Sequence, residues 1–165
     1  MHVRCKLARD VQEAVRAACL ANDLWGLQCW YDGVADAAQA WAKRLPEKAM
    51  FYAAKDGRLN AVQWLMTHSC NPWLAIQEGL RGACVGNHLH VGKWLHAHEY
   101  SGDGDFFALA SAFATACGHG HFAIARWFML QHPDRSWPQE CLRRLQTWSA
   151  PRDTWMRAVV CAAIH

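Results

Sequence analysis

The segment Ala53-Ala54-Lys55-Asp56-Gly57-Arg58-Leu59-Asn60-Ala61-Val62-Gln63-Trp64-Leu65 returns twice in this chain with the same grammar. One copy is Ala83-Cys84-Val85-Gly86-Asn87-His88-Leu89-His90-Val91-Gly92-Lys93-Trp94-Leu95. The other is Ala116-Cys117-Gly118-His119-Gly120-His121-Phe122-Ala123-Ile124-Ala125-Arg126-Trp127-Phe128. A worn copy opens at Ala18-Cys19 and runs through Asn22-Asp23-Leu24 to Cys29-Trp30. The offsets between copies are 35, 30 and 33 residues. A period near 33 with two short helices per unit is the signature of a stacked repeat.

Each unit has three parts. The small pair, Ala-Ala or Ala-Cys, suits a close helix–helix contact. The turn follows at Asp56-Gly57, Gly86-Asn87 and His119-Gly120, where Gly or Asn adopts positive φ and closes the first helix. A second apolar face comes next: Leu59, Val62, Leu65 and Met66, then Leu89, Val91, Trp94 and Leu95, then Phe122, Ile124, Trp127 and Phe128. Its spacing is that of an amphipathic helix. Helices this short cannot bury their apolar faces alone, and stacking the next unit buries them.

These residues resemble the ankyrin repeat, through Ala53-Ala54, Gly57, Leu59, Val62, Leu65, Met66 and their counterparts. Gly120-His121-Phe122 is similar to the family's Gly-His-Leu turn, and Trp64-Leu65 and Trp94-Leu95 to its divergent Val-x-Trp-Leu subgroup. The family's Thr-Pro-Leu-His opening is missing from every copy. The resemblance implies an all-α, ankyrin-type helix-pair solenoid of about four to five repeats, with β-turn fingers reduced or absent. It implies a structural role for His88 and His121, bonded to the backbone of the turn. It also implies a binding surface on first-helix residues beside the small pair: Tyr52, Lys55, Asp56, Val85, Thr115 and His119.

The whole chain, residues 1–165, reads as a single domain. Residues 8–31 form an N-terminal capping repeat, 46–132 three clear repeats, and 134–165 degenerate C-terminal capping helices. Asp10 is the expected cap of the first helix, and Leu24–Tyr31 a short second helix. Residues 35–44 read as helical, Pro46 sits in the first turn of the next helix, and Asn71-Pro72 marks a turn. Asp105 is expected to cap a helix over 106–117. Further helices are expected over 137–148 and 154–164.

Apolar residues make up 53% and charged residues 19%, an ordered rather than a disordered composition. The net charge of +3 is too small to imply a nucleic-acid partner by itself. Of 17 basic and 14 acidic side chains, 6 and 3 fall in residues 126–165, so the positive excess lies at that end. There Arg143, Arg144, Arg152 and Arg157 are candidate phosphate contacts. A solvated helix face accounts for them equally well.

Of eight cysteines, Cys19, Cys84 and Cys117 share the slot held by Ala54 in the other copy. They read as small core residues, and no Cys-x-x-Cys pair is present. The expected compartment is intracellular and reducing: cytoplasmic or, alternatively, mitochondrial or another organelle. Arg4, Lys6, Arg9 and Arg16 have the flavour of an organelle presequence, but Asp10 and Glu13 interrupt it. No apolar run has the length of a membrane span, so no membrane insertion is expected.

No nucleophile–base–acid set and no phosphate-binding Gly-rich loop is found, so the chain reads as no enzyme, with no cofactor and no small-molecule substrate. Three His-x-His pairs, His88/His90, His96/His98 and His119/His121, invite a metal. On a helix such side chains diverge by about 200°, so no metal site is assigned. The 101–105 loop lacks the closing Glu of a calcium site. Among ten tryptophans, Trp64, Trp94 and Trp127 are in phase and expected between units. Trp25, Trp41, Trp73, Trp137 and Trp148 are out of phase and expected to be freer, as interface anchors. The expected function is a non-catalytic protein–protein interaction module, a scaffold or adaptor. The alternative is a permanent structural subunit of a large intracellular or organellar assembly, one in which RNA is a potential component.

Overall fold

The computed structural model describes residues 13–35, 45–98, 106–133, 136–137, 139 and 141–143. The described residues form helices and no strands. Helix α1 spans 13–21. The others are α2 (Leu24–Ala35), α3 (Leu45–Lys55), α4 (Leu59–Thr67), α5 (Pro72–Gly86), α6 (Leu89–Ala97), α7 (Phe106–Gly118) and α8 (Phe122–Gln131). Residues 139 and 141–143 are also helical. Ala35, the first residue of the helix expected over 35–44, ends α2; residues 36–44, the Asp105 cap, the 101–105 loop and most of the two C-terminal helices lie outside the described residues.

Four turns are built alike. Positive φ falls at Asn22 (56°), Gly57 (70°), Asn87 (60°) and Gly120 (75°). Those positions are spaced as the sequence copies are. The amide one residue later bonds back to the first residue of each small pair. Asp23 N–H reaches the Ala18 carbonyl at 2.9 Å, Arg58 that of Ala53 at 2.8 Å, His88 that of Ala83 at 2.9 Å, and His121 that of Ala116 at 2.9 Å. This six-to-one bond around a left-handed residue is the Schellman closure of a helix C-terminus. Asn22 completes the series in the worn copy.

Helix starts are chemically more varied. Asn71 and Pro72, expected to mark a turn, start α5. The Asn71 side chain accepts from the Leu74 N–H at 3.1 Å and Pro72 occupies the first turn. Asp23 accepts from the Gly26 N–H at 2.9 Å ahead of α2. His88 and His121 make no side-chain cap.

The helices pack in pairs, α3 with α4, α5 with α6 and α7 with α8. The first helices α3, α5 and α7 lie side by side, and α2, α4, α6 and α8 touch in the same order. The small pairs are buried at these contacts, with Ala53, Ala54, Ala83, Cys84 and Ala116 fully enclosed. Leu65, Leu95 and Phe128, one equivalent slot of the second helices, are also fully enclosed. Burial pushes the Cys19 thiol up to about 12, with the Asp56 carboxylate adding to it, and burial alone raises that of Cys84. Both thiols pack in the core, and the raised values disfavour their thiolate forms.

On the second helices, Trp64, Trp94 and Trp127 are half-buried against the core. Trp64 stacks on His68 at 4.0 Å and Trp94 on His98 at 3.9 Å. In both, the His Nδ1 donates at 2.8 Å to the carbonyl of its own tryptophan. Tyr31 meets the Trp64 ring edge-on at 5.9 Å, and His96 meets Trp127 at 5.1 Å, so aromatic contacts link neighbouring pairs. Trp137 departs from expectation. It is buried against Phe113 at 4.5 Å, and its indole N–H donates to the His132 carbonyl at 3.3 Å. Trp25 and Trp73 are exposed, at 78% and 44%. Trp41 and Trp148 lie outside the described residues.

Candidate binding groove

Helix α3 places Ala53 and Ala54 in the core and leaves Lys48, Phe51 and Tyr52 at its outer edges. Two arginines from its neighbours reach those rings. Arg16 of α1 lies 4.8 Å above Tyr52, and Arg81 of α5 lies 4.5 Å above Phe51. Both are cation–π contacts. Arg81 also pairs with Glu78 one turn earlier on α5. Between these walls opens a cleft of about 440 Å³, with Val15 and Leu74 among its apolar lining and Glu47 and Lys48 among its charged lining.

Glu47 is the unusual member. It is 2% exposed, the buried charged residue of the described core. Its Oε1 accepts from the Ser69 hydroxyl at 3.1 Å and from the Asn71 N–H at 3.1 Å. Those residues lie in the short 68–71 connection between α4 and α5, which Glu47 thereby fastens to α3. Its Oε2, closed off from solvent, has no hydrogen-bond partner among the described residues. A buried carboxylate oxygen without a donor is costly, and such groups are ordinarily paired.

The expected binding residues are distributed along the row of first helices. Tyr52 lines the groove. Lys55 and Val85 occupy the same slot in successive units. The Val85 carbonyl accepts from His121 Nε2 of the following unit at 3.1 Å, and the Lys55 backbone interacts with the His88 ring. The expected structural histidines therefore bridge neighbouring units, and do not merely close their own turn. Asp56 is half-buried in its turn. The Thr115 hydroxyl donates to the Ser111 carbonyl at 2.8 Å within α7. His119 is exposed, its ring parallel to that of His121 at 6.0 Å. Only Tyr52 of the six belongs to the cleft. Arg143 is exposed, while Arg144, Arg152 and Arg157 lie outside the described residues.

Sequence reading missed Glu47, Arg16, Phe51 and Arg81. Glu47 follows Pro46 in a first turn, where an acidic residue is unremarkable beside the helix dipole. Its partners are 22 and 24 residues away, so only the fold reveals it. The close contact of His96 and His132, Nε2 to Nε2 at 2.8 Å across two units, was also missed. Among the described residues, no three His, Cys, Asp or Glu side chains gather as metal ligands.

The histidine contacts make stability depend on pH. Burial lowers the pKa of His88, with His90 adding to it, and burial lowers that of His96, with His132 adding to it. The folded state therefore favours neutral rings and binds fewer protons than the unfolded chain. The stabilisation is fully present above the ordinary imidazole value of 6.5 and is lost as pH falls through the lowered folded values. Urea midpoints should fall between pH 7.5 and pH 5, with a shallower dependence in His96→Gln. An equal dependence in that variant would remove His96 from the account.

No protein-family model, curated protein or solved structure matches this chain. No helix among the described residues is long and apolar enough to cross a membrane.

Proposed function

We propose that the chain is a non-catalytic protein–protein interaction module, built as an ankyrin-type solenoid that binds through the face of its first helices. The observation that carries this reading is the cleft over α3, lined by apolar, aromatic and charged side chains of α1, α3 and α5. Pockets with a few convergent polar groups on an apolar lining are the usual places of recognition. The equivalent turns at 22, 57, 87 and 120 and the His88 and His121 bridges support the solenoid.

A second reading, a permanent structural subunit of a large intracellular assembly, draws on exposed Trp25 and Trp73. Large exposed aromatics are typical anchors of interfaces. Gentle native purification of the tagged chain, followed by sizing and quantitative mass spectrometry, separates the two. An adaptor elutes as the free chain with substoichiometric partner proteins. A subunit sits stoichiometrically in a very large particle, and ribonuclease sensitivity of that particle would bring in Arg143 and the arginines beyond it. Failure of any protein to co-purify above background would overturn both.

A further inference from the structure

We propose that the cleft over α3 docks a short segment of a partner protein that carries one carboxylate beside an apolar side chain, with Arg16 and Lys48 as the contacts of the carboxylate. This rests on reading the first-helix face as a binding surface.

The charges that line the cleft are not equally available. Arg81 pairs with Glu78 and lies over the Phe51 ring. Glu47 is 2% exposed, and its Oε1 already accepts from Ser69 and Asn71, so it belongs to the wall. Arg16 of α1 and Lys48 of α3 remain. Both are exposed and both line the cleft. Neither makes an ion pair or a hydrogen bond with a described residue. Arg16 is held over the Tyr52 ring at 4.8 Å. That contact uses the delocalised charge of the guanidinium and leaves its N–H donors for an anion. A positioned guanidinium and an ammonium on neighbouring helices are complementary to a carboxylate.

The same lining selects against a polyanion. Basic side chains exceed acidic ones at the cleft by one, Arg16, Lys48 and Arg81 against Glu47 and Glu78. That excess matches a single carboxylate, whereas a nucleic acid brings a run of phosphates. Single-stranded nucleic acid also stacks its bases on open aromatic faces. Here the Phe51 and Tyr52 rings each carry an arginine. Phe51 and Leu74, both half-buried, supply apolar surface for the side chain beside the carboxylate. The volume of about 440 Å³ accommodates that side chain and its acidic neighbour.

The test is a nuclear magnetic resonance titration of the full chain with the blocked peptide Gly-Leu-Glu-Gly. Matched peptides carry glutamine or lysine in place of the glutamate, and a short oligouridylate stands for RNA. The glutamate peptide should give saturable shifts centred on the amides of Arg16, Lys48 and Tyr52. The glutamine and lysine peptides should bind about fivefold more weakly or worse. Arg16→Gln and Lys48→Gln should each weaken the glutamate peptide and leave the glutamine peptide unchanged. Lys93→Gln, at an exposed lysine of α6 outside the cleft, is the control and should change neither. Equal binding of the glutamine peptide, undiminished binding by both cleft variants, or tighter binding of oligouridylate at the same amides would each overturn the assignment. The comparison of glutamate with glutamine uses the unaltered chain and holds even if a variant folds poorly. Absence of any saturable shift with the glutamate peptide, alongside a partner protein captured in native purification, would sink this proposal and leave the wider reading standing.

Discussion

Gly86→Ala is expected to destabilise the fold by about 3 kcal/mol or more, the upper end of what overpacking costs. A Cβ at this position would overlap the Lys55 carbonyl oxygen, and one at Gly82 would overlap the Phe51 carbonyl oxygen. In both cases the obstacle is backbone, which cannot turn aside as a side chain does. Helices α3 and α5 form the most extensive helix contact of the described structure, and these two glycines let their backbones approach. Alanine is the better helix former by about 1 kcal/mol, so the clash must first overcome that gain. Gly118→Ala is the control, since a Cβ there meets nothing within 4 Å. It should be neutral or slightly stabilising. Guanidinium denaturation followed by circular dichroism reads both. A loss under about 1 kcal/mol for Gly86→Ala would mean that α3 and α5 do not approach as described.

Leu95→Ala is expected to cost about 2–5 kcal/mol, the range for removing a fully enclosed leucine. Leu95 is 0% exposed in α6, and its Cδ1 packs where a Cβ on Gly79 of α5 would stand. The residue thus joins the two helices of one pair. The same slot carries Leu65 in α4 and Phe128 in α8, both also fully enclosed. If the pairs are equivalent, Leu65→Ala should fall within the same range by the same denaturation assay. A cost below about 1 kcal/mol at Leu95 would place this side chain at a surface and not between helices.

Much of the local structure was legible because its chemistry is local. Positive φ favours Gly or Asn, so Gly57, Asn87 and Gly120 announce where first helices end. The small pairs announced their own burial, because Cys trades with Ala only where space is short. Asn22 was harder, since the worn copy lacks the in-phase tryptophan slot that flags the others. Contacts between distant residues were not legible. Glu47 reads as an ordinary first-turn acid until the 68–71 connection is folded onto it. His96 and His132 lie 36 residues apart at slots that do not correspond, so no sequence phase pairs them. Trp137 looked free because it falls out of phase, yet Phe113 and the His132 carbonyl enclose it. Of the candidate binding residues, Tyr52 lines a cleft that the sequence alone did not indicate. The cleft depends on which side chains α1 and α5 bring to α3.

Amide hydrogen exchange at Arg58, His88 and His121 tests the equivalence of the units most directly. Each of these amides closes a turn onto the first residue of its small pair, at 2.8, 2.9 and 2.9 Å. Three stacked, equivalent units predict strong protection at all three, comparable with core amides such as those of Leu65 and Leu95. Exchange at any of the three as fast as in an open chain would contradict the repeated architecture, and with it the reading of its first-helix face as a binding surface.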